Sequence, residues 1–186
     1  CKLEHPCIYK FFDFIRTDEK YYLIFEYLDN GKILDFVNDH GRLLDKTARH
    51  FFTQLISALS YVHEKNSIAH RDIKAENVLL DRYFNFRLID FGSSTCFDSH
   101  FPIMRTICGC TIYASPEMVK GNPYFPSTDI WSAGVLLYTV CSGHFPFYDE
   151  SKSIPNIIEK ILNSEPDYPN YFDENLVDLL KNMFIK

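Results

Sequence analysis

His70-Arg71-Asp72-Ile73-Lys74-Ala75-Glu76-Asn77 is the stretch that says most about this chain, and Asp90-Phe91-Gly92 follows eighteen residues after Asp72. Together the two segments hold two carboxylates, Asp72 and Asp90, with a lysine and an amide between them. Either segment alone would indicate only a polar turn, because short polar motifs of this kind occur by chance in many proteins. Their combination in this order and at this spacing favours a functional site.

The joint pattern resembles the catalytic core of eukaryotic protein kinases, and Lys74 is typical of the Ser/Thr type. The resemblance implies transfer of the ATP γ-phosphate to Ser or Thr hydroxyls of a protein or peptide substrate. It assigns Asp72 to orient the attacking hydroxyl and Lys74 to stabilise the transferring phosphate. Asn77 and Asp90 would bind Mg²⁺ through hard oxygen ligands. ATP and Mg²⁺ are therefore the expected cofactors.

Two further motifs extend the resemblance. Ser115-Pro116-Glu117 is similar to the Ala-Pro-Glu triplet of the family, and the Asp-Ile-Trp-Ser-Ala-Gly run at 129–134 is similar to the start of its central helix. By this likeness Asp129 braces the backbone around His70, and Phe91 stacks on the His70 ring. The residues to which the resemblance gives structural roles are His70, Arg71, Phe91, Gly92, Glu117 and Asp129.

The resemblance also implies a nucleotide pocket. Residues 26–28 would form the hinge whose backbone meets the adenine, with Phe25 guarding the rear of the pocket and Leu79 forming its floor. Glu76 is a candidate for contact with the nucleotide or with a basic side chain of the substrate. The positions expected to bind the cofactor are Glu26, Leu28, Lys74, Glu76, Asn77, Leu79 and Asp90.

Residues 93–114 have the length of an activation loop and contain Arg105-Thr106-Ile107-Cys108-Gly109. By position Thr106 resembles the activating phosphorylation site of the AMP-activated and calcium/calmodulin-dependent kinase branch, to which the chain is most similar. A phosphate there could pair with Arg71 and order the loop for peptide docking. An upstream activating kinase is then a possible partner. The alternative is an unmodified loop threonine.

Cys110 and Lys32 depart from the family pattern. Cys110 stands where these kinases usually carry Thr or Ser, whose hydroxyl links the loop to the catalytic aspartate and lysine. A thiol is a weaker hydrogen-bonding group than a hydroxyl. Lys32 stands where an acidic residue often meets the ribose. Both substitutions bear on efficiency, and neither removes a group that the chemistry requires.

The family pattern also has elements that this chain lacks. A glycine-rich loop, a strand lysine and a helix glutamate precede the His-Pro pair in these kinases, which is His5-Pro6 here. The sequence therefore indicates a partial kinase domain of the α+β class, mainly the helical large lobe with the last strands of the small lobe. We expect residues 1–28 to form the end of the small lobe and the hinge, and residues 29–186 the large lobe without its C-terminal end. The isolated fragment is expected to be inactive.

Local patterns predict individual elements. Residues 8–14 and 20–27 are rich in aromatic and β-branched side chains and flank a polar stretch, which predicts a hairpin. From Asp45 onward apolar residues recur at spacings of three and four, which predicts a helix capped by Asp45. Ile130 to Cys141 is apolar on nearly every side and predicts a helix in the centre of the lobe. Further helices are predicted at 154–163 and 174–184, and a short strand at 78–80.

Size and charge narrow the function classes. With 186 residues and 46% hydrophobic content, the chain can bury a sizeable core. A net charge of −6 provides no basic stripe for a nucleic-acid backbone, and no apolar run reaches the roughly eighteen residues of a membrane span. The six cysteines show no zinc-site spacing and suit reduced thiols. We therefore expect a cytoplasmic protein, with a nuclear location possible, and neither a nucleic-acid nor a membrane partner.

Other function classes remain open at this point. A kinase-like module could act by binding other proteins without catalysis, or a truncated product could be inactive. Small-molecule kinases share the fold, but the activation segment and Ser115-Pro116-Glu117 favour a peptide substrate. The presence of all four catalytic residue types favours an enzyme.

Overall fold

The computed structural model describes residues 3–106 and 108–186, and these form a mixture of helices and short strands. Ile107, in the segment of the expected phosphorylation site, lies outside the described residues. The strands are β1 Phe11–Arg16, β2 Tyr21–Phe25, β3 Ile68–Ala69, β4 Val78–Leu80, β5 Phe86–Leu88 and β6 Thr95–Cys96. The helices are α1 Ile33–His40, α2 Asp45–Ser60, α3 Pro116–Val119, α4 Thr128–Ser142, α5 Ile154–Asn163 and α6 Glu174–Met183.

The predicted hairpin is confirmed in type, since β1 and β2 pair antiparallel with Phe11 opposite Phe25. Its first strand lies at Phe11–Arg16 and not at the predicted 8–14. The Thr17 N–H donates to the Lys20 carbonyl over 2.9 Å and closes the turn between them. Most apolar side chains of the two strands are exposed. A two-stranded sheet gains little stability without a packed face, so the main core lies elsewhere in the chain.

Helix α2 follows the predicted helical period. Its buried side chains lie three and four residues apart and face the core, where they remove apolar surface from water. The predicted cap at Asp45 is wrong. Leu44 occupies the N-cap position in an extended conformation and Asp45 is the first helical residue, so its side chain lies too far along to cap the N-terminus. A π-helical turn, Tyr61–Lys65, continues α2 towards β3.

Helix α4 is the central element, as predicted. Every one of its residues is buried except Ile130 and Ser142, so it packs on all sides. Gly143 ends it with φ 84°, a left-handed conformation that suits glycine, and its N–H donates to the Thr139 carbonyl over 2.8 Å. A β-carbon at Gly134 would lie 3.0 Å from the Phe184 ring, so the chain beyond α6 packs tightly against α4.

The remaining predictions of local structure are confirmed in type. The strand at 78–80 and the helix at 154–163 have the predicted bounds, and the last helix ends at Met183, one residue early. Helix α1 was not predicted. It buries Ile33 and Val37, and two positions are too few to display a helical period in the sequence.

The described residues confirm the α+β class. A helical body surrounds α4, and the β1–β2 hairpin and two small antiparallel sheets, β3–β6 and β4–β5, accompany it. Within residues 3–106 and 108–186 no helix combines the length and apolar character needed to cross a membrane.

Candidate active site

Asp72 is at the centre of a compact hydrogen-bond cluster. Its Oδ2 accepts from Lys74 Nζ over 2.7 Å and from Asn77 Nδ2 over 2.9 Å. Asn77 Nδ2 also donates to the Asp72 backbone carbonyl over 2.9 Å, which fixes the turn between them. Three of the four residues that the sequence grouped together are therefore in direct contact.

The other side-chain oxygen of Asp72, Oδ1, is buried and has no hydrogen-bond partner among the described residues. A β-carbon at Gly109 would lie 3.4 Å from it and only 2.5 Å from the Arg71 carbonyl oxygen. This glycine therefore lies directly over residues 70–77, the candidate catalytic stretch. Gly109 also has φ +81°, which disfavours any side chain there. Oδ1 therefore keeps an unused capacity to accept a hydrogen bond.

Lys74 remains charged in this cluster. Although burial alone would lower its pKa, the hydrogen bond from Lys74 to Asp72 and the charge of that carboxylate raise it. The Lys74 side chain is 23% exposed, so its ammonium group keeps access to a bound anion. It can therefore neutralise charge on a transferring phosphate while it orients Asp72.

His70 is buried completely and is held as a neutral ring. Its Nε2 lies 3.0 Å from the Ile89 carbonyl and its Nδ1 accepts from the Asp72 N–H over 3.3 Å, so the proton is on Nε2. Burial lowers the pKa of His70, which agrees with this assignment. The Phe91 ring packs edge-on against His70 at 4.8 Å between centroids. His70 thus joins the segment before Asp90 to the backbone of Asp72.

Asp129 is fully buried in the first turn of α4 and binds the backbone of the catalytic stretch. Its two oxygens accept from the backbone N–H groups of His70 over 2.8 Å and Arg71 over 2.7 Å. His63 Nε2 lies 2.8 Å from the same carboxylate. Arg71 has φ 65°, a left-handed conformation that costs a residue with a side chain about 1–2 kcal/mol. The Asp129 contacts offset that cost.

The β4–β5 pair places Asn77 and Asp90 at one edge. Val78 pairs with Leu88, and the Ile89 N–H donates to the Asn77 carbonyl over 3.0 Å, so Asp90 follows directly beyond Asn77. Asp90 is exposed, has φ 60°, and accepts from the Gly92 N–H over 3.1 Å. The turn thus presents the Asp90 carboxylate to solvent.

This edge offers two oxygen groups of the kind that magnesium binds. The side-chain nitrogen of Asn77 donates to Asp72, so its side-chain oxygen is left to bind a cation. The exposed carboxylate of Asp90 is the second oxygen group. No cluster of three or more His, Cys, Asp or Glu side chains able to hold a metal occurs within residues 3–106 and 108–186. Magnesium commonly takes one or two protein oxygens and completes its shell with phosphates and water, so two ligands are sufficient.

The residues expected to form the nucleotide pocket differ in burial and in hydrogen bonding. Leu28 is buried, and Leu79 is half-buried and bridged through its backbone to Lys32. The Glu26 side chain accepts from the Lys10 N–H over 2.7 Å and lies 3.6 Å from Arg87. The Glu26 N–H donates to the Lys10 carbonyl over 2.9 Å, so of these groups only the Glu26 carbonyl is left for a base. Glu76 is half-buried, and its Oε2 has no hydrogen-bond partner in the described part of the chain. That oxygen can receive a cationic group.

Arg71 connects the catalytic stretch to the activation segment. Its Nε donates to the Ser93 carbonyl over 2.8 Å, and its Nη1 donates to the Tyr124 hydroxyl over 3.2 Å. The Tyr124 hydroxyl in turn donates to the Thr106 carbonyl over 2.5 Å. Thr106 itself is exposed, so its hydroxyl is accessible to a modifying enzyme.

Sequence reasoning missed several residues of the site. Tyr113 accepts from the Ala75 N–H over 3.3 Å, and its carbonyl accepts from Ser132 Oγ over 2.8 Å, which ties the segment after Cys110 to α4. His63 and Tyr124 were missed too. An isolated His or Tyr carries no local signal of a contact more than 50 residues away. Glu117 is half-buried in α3 and takes no part in this cluster.

The chain is similar in sequence to known protein kinases. The sequence model of the protein kinase domain matches residues 1–186. The chain is 42% identical over 184 residues to the SNF1-related protein kinase catalytic subunit alpha KIN12 of Arabidopsis thaliana. It is 39% identical over 184 residues to protein kinase kin1 of Schizosaccharomyces pombe. Each match covers 98% of this chain but only 36% and 20%, respectively, of the relatives.

Proposed function

The chain belongs to the protein kinase family, and from that premise we propose that its intact parent transfers the γ-phosphate of ATP to serine and threonine hydroxyls of proteins. The observation that carries the proposal is the cluster of Asp72, Lys74 and Asn77. It joins a buried carboxylate that has one unoccupied oxygen to a charged lysine and an amide within 2.9 Å.

Each residue has a distinct task in this reaction. Asp72 Oδ1 accepts a hydrogen bond from the substrate hydroxyl and aims its lone pair at the γ-phosphorus. Lys74 lies beside the same carboxylate and stabilises the negative charge on the transferring group. Catalysis then depends on positioning and on charge, and the buried hydrogen bonds of Asp72 and Asp129 provide the positioning.

We assign Asn77 and Asp90 as the magnesium ligands. Mg²⁺ held by these two residues would neutralise negative charge on the nucleotide phosphates. The backbone of residues 26–28 and the side chain of Leu79 would receive the base. We also propose residues 1–28 as the end of the small lobe with the hinge, and residues 29–186 as large lobe. The exposed hairpin and the helical body around α4 support this division.

The proposal is tested with the purified intact parent, radiolabelled ATP and peptides that differ only in a Ser, Thr or Tyr acceptor. We expect label on the Ser and Thr peptides at about 1–100 per second, none on Tyr, and its loss when Mg²⁺ is chelated. Small alcohols and amines in a parallel assay should stay unlabelled. A parent that binds ATP but transfers no phosphate would instead be a non-catalytic binding module.

We further propose that Thr106 is phosphorylated by an upstream kinase. Its exposed side chain and the position of Arg71, linked to the Thr106 carbonyl through one tyrosine hydroxyl, support this site. A phosphate would bring nearly two negative charges close to Arg71. We also propose that the parent is cytoplasmic, with a nuclear location possible, because ATP and activating kinases are present there. The described cysteines are free thiols, as a reducing compartment requires.

Thr106→Ala is expected to lower kcat/KM for peptide in the activated parent by about tenfold or more, since one or two charge-assisted hydrogen bonds to the loop are lost. The measurement is steady-state peptide phosphorylation after treatment with a cell extract that contains activating kinases. Ser99→Ala, at another exposed position of the same segment, is the matched control. Equal activity of the two variants would show that Thr106 is an ordinary loop residue.

A further inference from the structure

Tyr124 occupies an unusual position for a residue outside every catalytic motif of the chain. It is only 1% exposed. Its hydroxyl lies between the Arg71 guanidinium, 3.2 Å away, and the Thr106 carbonyl, 2.5 Å away. The hydroxyl thus accepts from the catalytic stretch and donates to the activation segment with the same oxygen.

The backbone around Tyr124 is attached to the same segment. The Met104 N–H donates to the Tyr124 carbonyl over 2.8 Å, and the Tyr124 N–H donates back to Met104 over 2.9 Å. Tyr124 therefore holds the activation segment at two points, residue 104 through its backbone and residue 106 through its side chain. Only the carbonyl of Thr106 is used, so the threonine side chain stays exposed.

Arg71 is held by hydrogen bonds of its side chain and of its backbone. Its Nε donates to the Ser93 carbonyl at the start of the activation segment, and its Nη1 donates to Tyr124, which lies beyond the end of that segment. Its backbone N–H is bound to Asp129. Because Arg71 directly precedes Asp72, contacts that hold Arg71 also restrict the backbone that places the catalytic carboxylate.

We propose that Tyr124 is a positioning residue whose hydroxyl holds Arg71 and the Thr106 backbone together while Thr106 carries no phosphate. This inference rests on the proposed kinase activity of the parent. The hydroxyl gives the unmodified enzyme a basal activity, and a phosphate on Thr106 later takes over as the partner of Arg71. Burial raises the pKa of Tyr124, so the hydroxyl keeps the proton that it donates to Thr106.

The test compares Tyr124→Phe with Tyr138→Phe in the intact parent. Both tyrosines are 1% exposed, and both donate to a backbone carbonyl over 2.5 Å, Tyr138 to that of Asp167. Each variant keeps the ring and loses one buried hydroxyl, so general effects on folding are matched. Each is assayed free of phosphate after phosphatase treatment and again after stoichiometric phosphorylation of Thr106, verified by mass spectrometry.

In the phosphate-free enzyme, Tyr124→Phe should lower kcat/KM for peptide by about tenfold, the effect of one hydrogen bond to a charged group. The KM for ATP should not change, and amide hydrogen exchange in residues 93–106 should be faster. In the enzyme phosphorylated at Thr106 the deficit should disappear. Tyr138→Phe should show none of these state-dependent effects.

Two results would overturn the inference, and a third would refute the function on which it rests. If Tyr124→Phe equals Tyr138→Phe in both states, the hydroxyl does not position Arg71. If Tyr124→Phe loses activity equally in both states, the hydroxyl serves the fold and not the unmodified state. A wild-type parent that transfers no phosphate would refute the proposed function itself, and faster exchange in residues 93–106 of Tyr124→Phe would still report on the contact.

Discussion

Replacing Asp72 with asparagine in the intact parent is expected to lower kcat by about 10²–10⁴-fold, the contribution of a positioned general base. Oδ2 accepts from Lys74 and Asn77, whereas Oδ1 has no hydrogen-bond partner among the described residues. The asparagine oxygen can therefore replace Oδ2 and keep both bonds, while its amide nitrogen takes the place of Oδ1. The fold is retained, and the group that receives the substrate proton becomes a donor.

The measurement is the turnover of a Ser peptide together with the ATP affinity of each variant. Asp178→Asn, the same chemical change on the exposed face of α6, is the matched control and should behave as wild type. Thermal unfolding of both variants checks that the loss at Asp72 is chemical. A kcat for Asp72→Asn close to that of Asp178→Asn would mean that this carboxylate is not the base.

The second large effect is expected at Asp129, where Asp129→Ala should reduce the free energy of unfolding by about 3–5 kcal/mol. The carboxylate is fully buried and accepts from the His70 and Arg71 N–H groups, with His63 at 2.8 Å. Alanine leaves these donors buried without a partner, and each such group costs about 1–3 kcal/mol. Arg71 also loses the contact that holds its left-handed backbone conformation.

Chemical denaturation of the intact catalytic domain measures this loss, and peptide phosphorylation under conditions where the variant is still folded measures its effect on activity. We expect both to fall, because the same bonds that stabilise the core place Asp72. His63→Ala provides a graded comparison, since it removes one of the three donors and should cost less. A free energy of unfolding unchanged by Asp129→Ala would show that the catalytic stretch holds its conformation without this residue.

The sequence predicted the helices with a clear burial pattern, but it missed one helix and gave one wrong helix cap. Helix α4 was found because burial on all sides demands an apolar sequence, and α2 because a half-buried helix shows its period. Helix α1 was missed because only Ile33 and Val37 of its residues are buried. The cap at Asp45 was wrong because a single residue decides where the extended chain turns helical, and side-chain type alone does not specify that residue.

The predictions for the candidate site also differed in outcome. The sequence by itself determined the α+β class, the central helix and the group Asp72, Lys74 and Asn77, because these residues lie within one short turn and their spacing alone brings them together. The family resemblance also assigned Asp129 to brace this turn. Only the tertiary structure decided that His63 supports it and that Tyr124 joins Arg71 to Thr106. Along the chain His63 lies 66 residues from Asp129 and Tyr124 lies 53 residues from Arg71, while Tyr124 and Thr106 are 18 residues apart. No local pattern encodes them, because they arise only when separate elements pack around a shared core.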